Sequence, residues 1–228
     1  MTQKLSADEN YANERAAKFG DTIYHYCSLD TLLSILNHKE LWFGSTASMN
    51  DSKEQRYFLE NLENAIKEAI PKNKINVCNE FFGQIFKSLE HSYPYALCFS
   101  TLKDNAAQWE RYADNACGIS IGFNTRQIVK LFSSSTIYLS EVHYGDEIKK
   151  HKHYEIVLEY LLHDNLTCGF RSRKALIENI LACSANHKHP SFSTESECRL
   201  TTMWELAFIK EAKYEFENHK IMSDYCSP

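Results

Sequence analysis

The stretch "TIYHYCSLDTLLSIL", residues 22–36, changes its period halfway, and that change decides the class of fold. Its first half alternates as a strand does, so Tyr24 and Tyr26 share one face and His25 points to the other. Its second half sets Leu29, Leu32, Leu33, Ile35 and Leu36 mainly along one face of a helix. Ser28 or Asp30 can cap that helix, which reads as short and buried. A strand that runs directly into a helix, with an imidazole at the junction, calls for a mixed architecture.

Reading outward, the elements keep mixing. Upstream, "SADENYANERAAKFG" is a punctuated helix, with Ser6 as N-cap, Glu9 completing a capping box and Gly20 as the stop. Downstream, "ELWFGS" predicts a second strand, with Asn50 and Asp51 as turn formers beyond it. A helical tract from about Lys53 to Ile70 breaks at Pro71 and resumes to about Glu90. "YPYALCFST" predicts a strand, "DNAAQWERYADNA" a helix capped by Asp104, and "CGISIGF" an alternating strand. Asn124 then caps "TRQIVKLF", and "TIYLSEVHYG" is extended. Helices at roughly 147–163 and 171–186 follow, and strands from "ECRLTTM" to "KIM" close the chain. No repeat, low-complexity tract or linker interrupts this order, so the class is α+β with a largely antiparallel sheet. The domain expectation is a single unit over residues 1–228: an N-terminal helix (1–20), a core (21–220) and a helical insertion at about 53–90.

Composition agrees. A chain of 228 residues, 43% of them hydrophobic, can bury one substantial core. The net charge of −5 gives no global basic footprint for nucleic acid, and only "KKHKH" (149–153) and "RSRK" (171–174) are locally basic. No apolar signal region opens the chain and no run approaches a spanning length, so the expected location is cytoplasmic, with no membrane partner. The eight cysteines include no C-x-x-C pair, and several, such as Cys98 and Cys117, border apolar runs; they read as reduced core residues. His151 with His153, and His187 with His189, form His-x-His pairs without an acidic or thiol companion at a familiar spacing, and read as incidental surface histidines.

The common catalytic signatures are absent: no Gly-rich dinucleotide fingerprint, phosphate loop, nucleophile elbow or H-E-x-x-H. Chemistry rests instead on two segments, the His25 junction and "KHPSFSTESECRL" (188–200). If "TESECRL" is a strand, Glu195, Glu197 and Arg199 share a face. Two carboxylates so placed repel unless water, Arg199 or a ligand offsets them. That arrangement is either a solvent-facing strand with its own counter-ion, or a site where one carboxylate grips a hydroxyl and stabilises developing positive charge.

The succession "YHYCSL", "LWFGS", "NDSKE", "CFS", "QWERYADNACGISIGF", "VHYG" and "KHPSFSTESECRL", spanning about residues 22–203, resembles a bacterial domain family of unknown function. That family is in turn distantly similar to the ADP-ribosyltransferases, whose fold is a mainly antiparallel split sheet with packed helices. The resemblance implies NAD as substrate. It matches His25 to the first-strand histidine that bonds the adenine-side ribose, and Glu197 to the late catalytic glutamate, with Glu195 as the upstream member of a Glu-x-Glu pair. It sets Ser45 where a second-strand hydroxyl supports the site, and Ser100, Trp109 and Tyr112 along a cleft wall. Tyr26 departs from the His-Gly pair of the polymerase-like branch and points to the His-Tyr-Glu type, whose tyrosine is not assigned. Arg199 and Lys188 either neutralise the pyrophosphate or pair with the two glutamates.

Breaking the nicotinamide–ribose bond develops oxocarbenium character, and a carboxylate on a ribose hydroxyl stabilises that transition state more than the ground state. The expectation is therefore an NAD-dependent ADP-ribosyltransferase needing no metal, acting on a protein or nucleic acid acceptor. By the resemblance it is a toxin of a toxin–antitoxin or antiphage system, with an antitoxin or inhibitor protein as partner; NAD hydrolysis is a near variant. The alternatives are a non-catalytic nucleotide- or protein-binding module and a metal-dependent nuclease using His25.

Overall fold

Ser6 caps the first helix through both halves of a capping box: its hydroxyl accepts from the Glu9 amide at 3.2 Å and the Glu9 carboxylate accepts from the Ser6 amide at 3.2 Å. That helix, α1 (Ala7–Phe19), stops at Gly20, whose φ of 90° a side chain would resist. The computed structural model describes residues 6–46, 52–89, 94–132, 137–145, 147–163, 172–203, 214–216 and 219–221. The turn formers Asn50 and Asp51 lie outside them. After α1 come β1 (Thr22–Cys27), α2 (Leu29–His38), β2 (Gly44–Ser45), α3 (Ser52–Ala69) and α4 (Ile75–Leu89). The middle of the chain forms β3 (Pro94–Ser100), α5 (Ala106–Tyr112), β4 (Ile119–Asn124), α6 (Thr125–Phe132), β5 (Tyr138–Glu141) and β6 (His143–Tyr144). Last come α7 (Lys152–His163), α8 (Arg173–Ser184), β7 (His187–Lys188), β8 (Glu197–Met203), β9 (Tyr214–Phe216) and β10 (His219–Ile221).

The main sheet runs β4-β1-β3-β8-β5, with β2 beside β1 on the same edge of β3, and every pairing in it is antiparallel. The α+β class with an antiparallel sheet is therefore as expected. Register sorts the sheet into two unlike faces. Gly122, Tyr24, Ser100 and Glu197 lie side by side in one cross-strand row, and Ile121 and His25 in the next. One face presents Ile23, Tyr95, Leu97, Phe99, Cys198 and Leu200, which pack with Ala12 and Phe19 of α1 and Ile128, Val129 and Phe132 of α6. The other presents Tyr24, Tyr26, Cys98, Ser100, Glu197 and Arg199. A second apolar cluster joins α3 and α4 to α7 and α8 through Phe58, Leu62, Phe81, Phe82, Val157, Leu161, Leu176 and Ile180. The helical insertion thus builds a layer of its own with the later helices.

Several local expectations change. Of the two cap candidates Ser28 caps α2, but α2 is not buried as expected: Leu29, Leu33 and Leu36 stay exposed among the described residues. Of "ELWFGS" only Gly44 and Ser45 pair as strand. Asn105, not Asp104, caps α5, its side chain accepting from the Ala107 and Gln108 amides. Cys117 is exposed in the turn before β4, whereas Cys27, Cys78 and Cys198 are buried thiols, and no disulfide forms among the described residues. No described helix is long and apolar enough to cross a membrane.

Candidate functional site

Glu197 opens β8 opposite Ser100 of β3, on the polar face of the sheet. Arg199, two residues on and on the same face, grips it with two bonds: Nε donates to Oε1 at 2.8 Å and Nη2 to Oε2 at 3.1 Å. The remaining guanidinium nitrogen donates to the carbonyl of Ala185, just past the end of α8, where a cation is favoured. Lys188 of β7 lies 3.0 Å from Oε2 of Glu197, the oxygen that Arg199 Nη2 also binds, and donates to Oε2 of Glu195 at 2.7 Å. Both carboxylates and both cations are almost wholly withdrawn from solvent. Arg111 of α5 closes the other oxygen of Glu195 with an ion pair, and the Tyr112 hydroxyl donates to that oxygen over 3.5 Å. Tyr144 of β6 accepts the Glu197 amide at 2.9 Å.

Glu195 does not belong to the strand. Residues Pro190–Glu195 form a 3-10 turn, and Ser196, at φ 47°, turns the chain before β8 begins. Period two therefore does not align the two glutamates; Lys188 does. The turn is fastened from below, since the Glu195 carbonyl accepts from the Ser100 hydroxyl at 2.9 Å and from the Gln108 amide at 3.2 Å, and the Thr194 carbonyl from Asn105 at 2.6 Å. Burial alone would raise the Glu197 pKa, but Arg199 and then Lys188 outweigh it and hold the group down at about 2. Burial likewise disfavours the Lys188 ammonium, yet Glu197 beside it keeps its pKa above the ordinary lysine value. Among the described residues of this cluster, Arg111 is the cation whose side chain is substantially exposed (40%), whereas Lys188 and Arg199 are buried.

The other expected site residues divide. Ser100 is at the site, as a buried support of the Glu195 turn. Tyr26 is beside it, but its hydroxyl is used internally: it donates to the Leu102 carbonyl at 2.9 Å and accepts from the Asn105 amide at 3.1 Å, while its ring meets Trp109 edge-on. His25 is not brought to Glu197. It projects from the opposite face of the sheet, edge to Phe99, with Nδ1 donating to the Cys98 carbonyl at 2.9 Å, and burial lowers its pKa. Ser45 is remote as well. It pairs with Tyr95, five residues from Ser100 along β3, at roughly 3.3 Å per residue and on the apolar face. Lys188 and Arg199, expected either to neutralise a pyrophosphate or to pair with the two glutamates, pair with the glutamates. Arg111, Tyr112, Tyr144, Asn105 and Gln108 complete the site; only Tyr112 among them was singled out in the sequence, three residues after Trp109, although Gln108, Arg111 and Tyr144 lie within the motifs "QWERY" and "VHYG".

The histidine pairs also regroup. His189 is exposed, its ring accepting the Ser191 amide, but His151 and His187 come together across the fold with Cys183 and are not incidental surface groups.

By fold and site, then, the chain is an α+β protein with an antiparallel sheet and a buried, ion-paired Glu-x-Glu turn. Residues 108–200 match the family model of a protein of unknown function (DUF2971). The matched span runs from α5 into β8 and holds Arg111, Tyr112, Tyr144, Lys188, Glu195, Glu197 and Arg199, but not β1 with His25. No curated protein and no solved structure matches the chain.

Proposed function

We propose that the chain is an NAD-dependent ADP-ribosyltransferase acting on a macromolecular acceptor, with Glu195 rather than Glu197 as its working carboxylate. The observation that carries this is the unequal covering of the two glutamates. Glu197 is closed by two bonds from Arg199 and by Lys188, all buried. Glu195 is closed on one oxygen by Arg111 and Tyr112, side chains that reach solvent. A pyrophosphate that draws Arg111 away opens that oxygen to a ribose hydroxyl, and the exposed Arg111 guanidinium favours such an anion. Lys188 then holds Glu195 in place while positive charge grows on the anomeric carbon. Tyr112 supplies an aromatic face and a hydroxyl at the same opening.

A second reading, a nucleotide-binding module without turnover, is favoured by His25, which lies on the far face of the sheet. Purified wild type, Glu195→Gln, Glu197→Gln and Arg111→Ala are incubated with labelled NAD, with and without cell extract, following free nicotinamide and label on protein or nucleic acid. Wild type is expected to release nicotinamide, Glu195→Gln to lose about 10²-fold or more in rate, and Arg111→Ala chiefly to raise KM. NAD binding without release, weakened by Arg111→Ala, selects the binding module. Absence of both turnover and binding refutes both readings.

A further inference from the structure

We infer that His151, Cys183 and His187 form a binding site for a zinc-type divalent metal ion, separate from the glutamate cluster. The three come from different parts of the fold: His151 precedes α7, Cys183 lies in the last turn of α8, and His187 opens β7. Their ligand atoms all lie within 4.8 Å of one another. The spacing within the set suits a metal as well as the thiol–imidazole hydrogen bond that Cys183 and His151 make without one. Zinc with a thiolate at about 2.3 Å and imidazole at about 2.05 Å in tetrahedral geometry separates sulfur from nitrogen by roughly 3.6 Å; Cys183 Sγ and His151 Nε2 are 3.7 Å apart.

The surroundings orient the ligands. His187 Nδ1 donates to the Cys183 carbonyl at 3.0 Å, which leaves Nε2 with its lone pair free for a metal. Phe58 stacks on the His187 ring at 3.8 Å and meets His151 edge-on at 5.5 Å, forming a dry wall. His153 stacks on His151 at 5.1 Å and is itself fixed by Asn179 at 2.7 Å. His151 Nδ1 accepts the His153 amide over 3.3 Å; coordination through Nε2 moves the ring proton to Nδ1 and exchanges that long contact for a metal bond. Cys183 gives up its thiol proton to solvent as the thiolate binds, so uptake releases a proton. The fourth position opens toward His143, whose ring centroid is 5.3 Å from that of His187 and 5.6 Å from that of His151.

One thiolate with two or three imidazoles suits zinc and cobalt rather than magnesium or calcium. The ion would tie α7 and α8 to β7, the strand that carries Lys188 directly after His187. Its role is thus to hold the helical layer against the glutamate site.

The test is metal content and a cobalt(II) titration of the metal-free full-length protein, with Cys183→Ser, His151→Asn and the control Cys117→Ser, each checked for folding by circular dichroism. Wild type and Cys117→Ser are expected to retain one zinc per chain and to develop a thiolate-to-cobalt charge-transfer band that saturates at one equivalent and is displaced by zinc. Cys183→Ser should lose the band, and His151→Asn should weaken binding at least tenfold. A band of unchanged strength in folded Cys183→Ser overturns the assignment. Wild type that neither retains zinc nor develops the band overturns it whatever the variants do.

Discussion

Lys188→Met keeps most of the buried stem and removes the ammonium that lies 2.7 Å from Glu195 and 3.0 Å from Glu197. Removing one member of a buried ion pair typically costs about 3–5 kcal/mol, because the other charge is left in a medium that cannot solvate it. Here neither carboxylate is wholly abandoned: Arg199 keeps both its bonds to Glu197, and Arg111 stays on Glu195. The low end applies, about 3 kcal/mol. For a chain of this length, about 2–4 °C of Tm per kcal/mol makes that a fall of roughly 6–12 °C. Urea unfolding read by fluorescence and circular dichroism measures it, with an unchanged m-value marking a stability effect. The companion variant Lys188→Met/Glu195→Gln removes the negative charge nearer the lost ammonium, 2.7 Å away against 3.0 Å for Glu197, and should be more stable than the sum of the single changes by at least about 1 kcal/mol. A loss below about 0.5 kcal/mol for Lys188→Met, or strict additivity in the double variant, would refute a charged, desolvated cluster.

Acid should attack the same cluster. The Glu197 pKa falls from an ordinary 4.5 to about 2 in the folded chain, so its contribution, on the order of 3 kcal/mol, is complete above pH 4.5 and drains away as pH drops toward 2. Unfolding midpoints measured across that window should fall in wild type and flatten in Glu197→Gln; parallel profiles would contradict the assignment. Two glycines should behave oppositely. A Cβ on Gly118 would stand 2.3 Å from the Cys27 carbonyl oxygen and 2.8 Å from the Ala113 carbonyl carbon, both backbone atoms, so Gly118→Ala should lose about 2 kcal/mol or more. Gly83, inside α4, has nothing within 4 Å of its missing Cβ, so Gly83→Ala should gain about 0.5–1 kcal/mol. Denaturant midpoints that move together for the two variants would count against this packing.

What the sequence disclosed was local. The capping box of Ser6 and Glu9, the Ser28 cap and the break at Pro71 each need only a few neighbouring residues, and each is where the pattern sets it. Alternation likewise separated His25 from Tyr24 and Tyr26. Which face would meet Glu197 depended on pairings across some hundred residues, Tyr24 with Ser100 and Ser100 with Glu197, and no local period carries that. The leucine stripe of α2 marks a face that wants cover without saying what covers it. Glu195 shows a different failure. Its alternation with Glu197 was real in the sequence, but Pro190 at the start of the preceding turn and the left-handed Ser196 break the strand between them. Serine, threonine and proline in "HPSFST" were the available warning.

The break at Ser196 also explains how two carboxylates are tolerated in one buried place. Continued strand would set them side by side with only Arg199 between them and the sheet. The turn instead swings Glu195 out toward α5, where Arg111 and Tyr112 meet it, while β7 inserts Lys188 between the two acids. β7 is only two residues long, with His187 facing the histidine–cysteine group and Lys188 facing the glutamates. Two residues cannot hold themselves straight by strand pairing alone. Whatever fixes His187 therefore also fixes the ammonium on which both carboxylates depend. On this reasoning, stripping the metal that we assign to His151, Cys183 and His187 should loosen the glutamate cluster, so that the effect of Lys188→Met on stability shrinks in chelated protein.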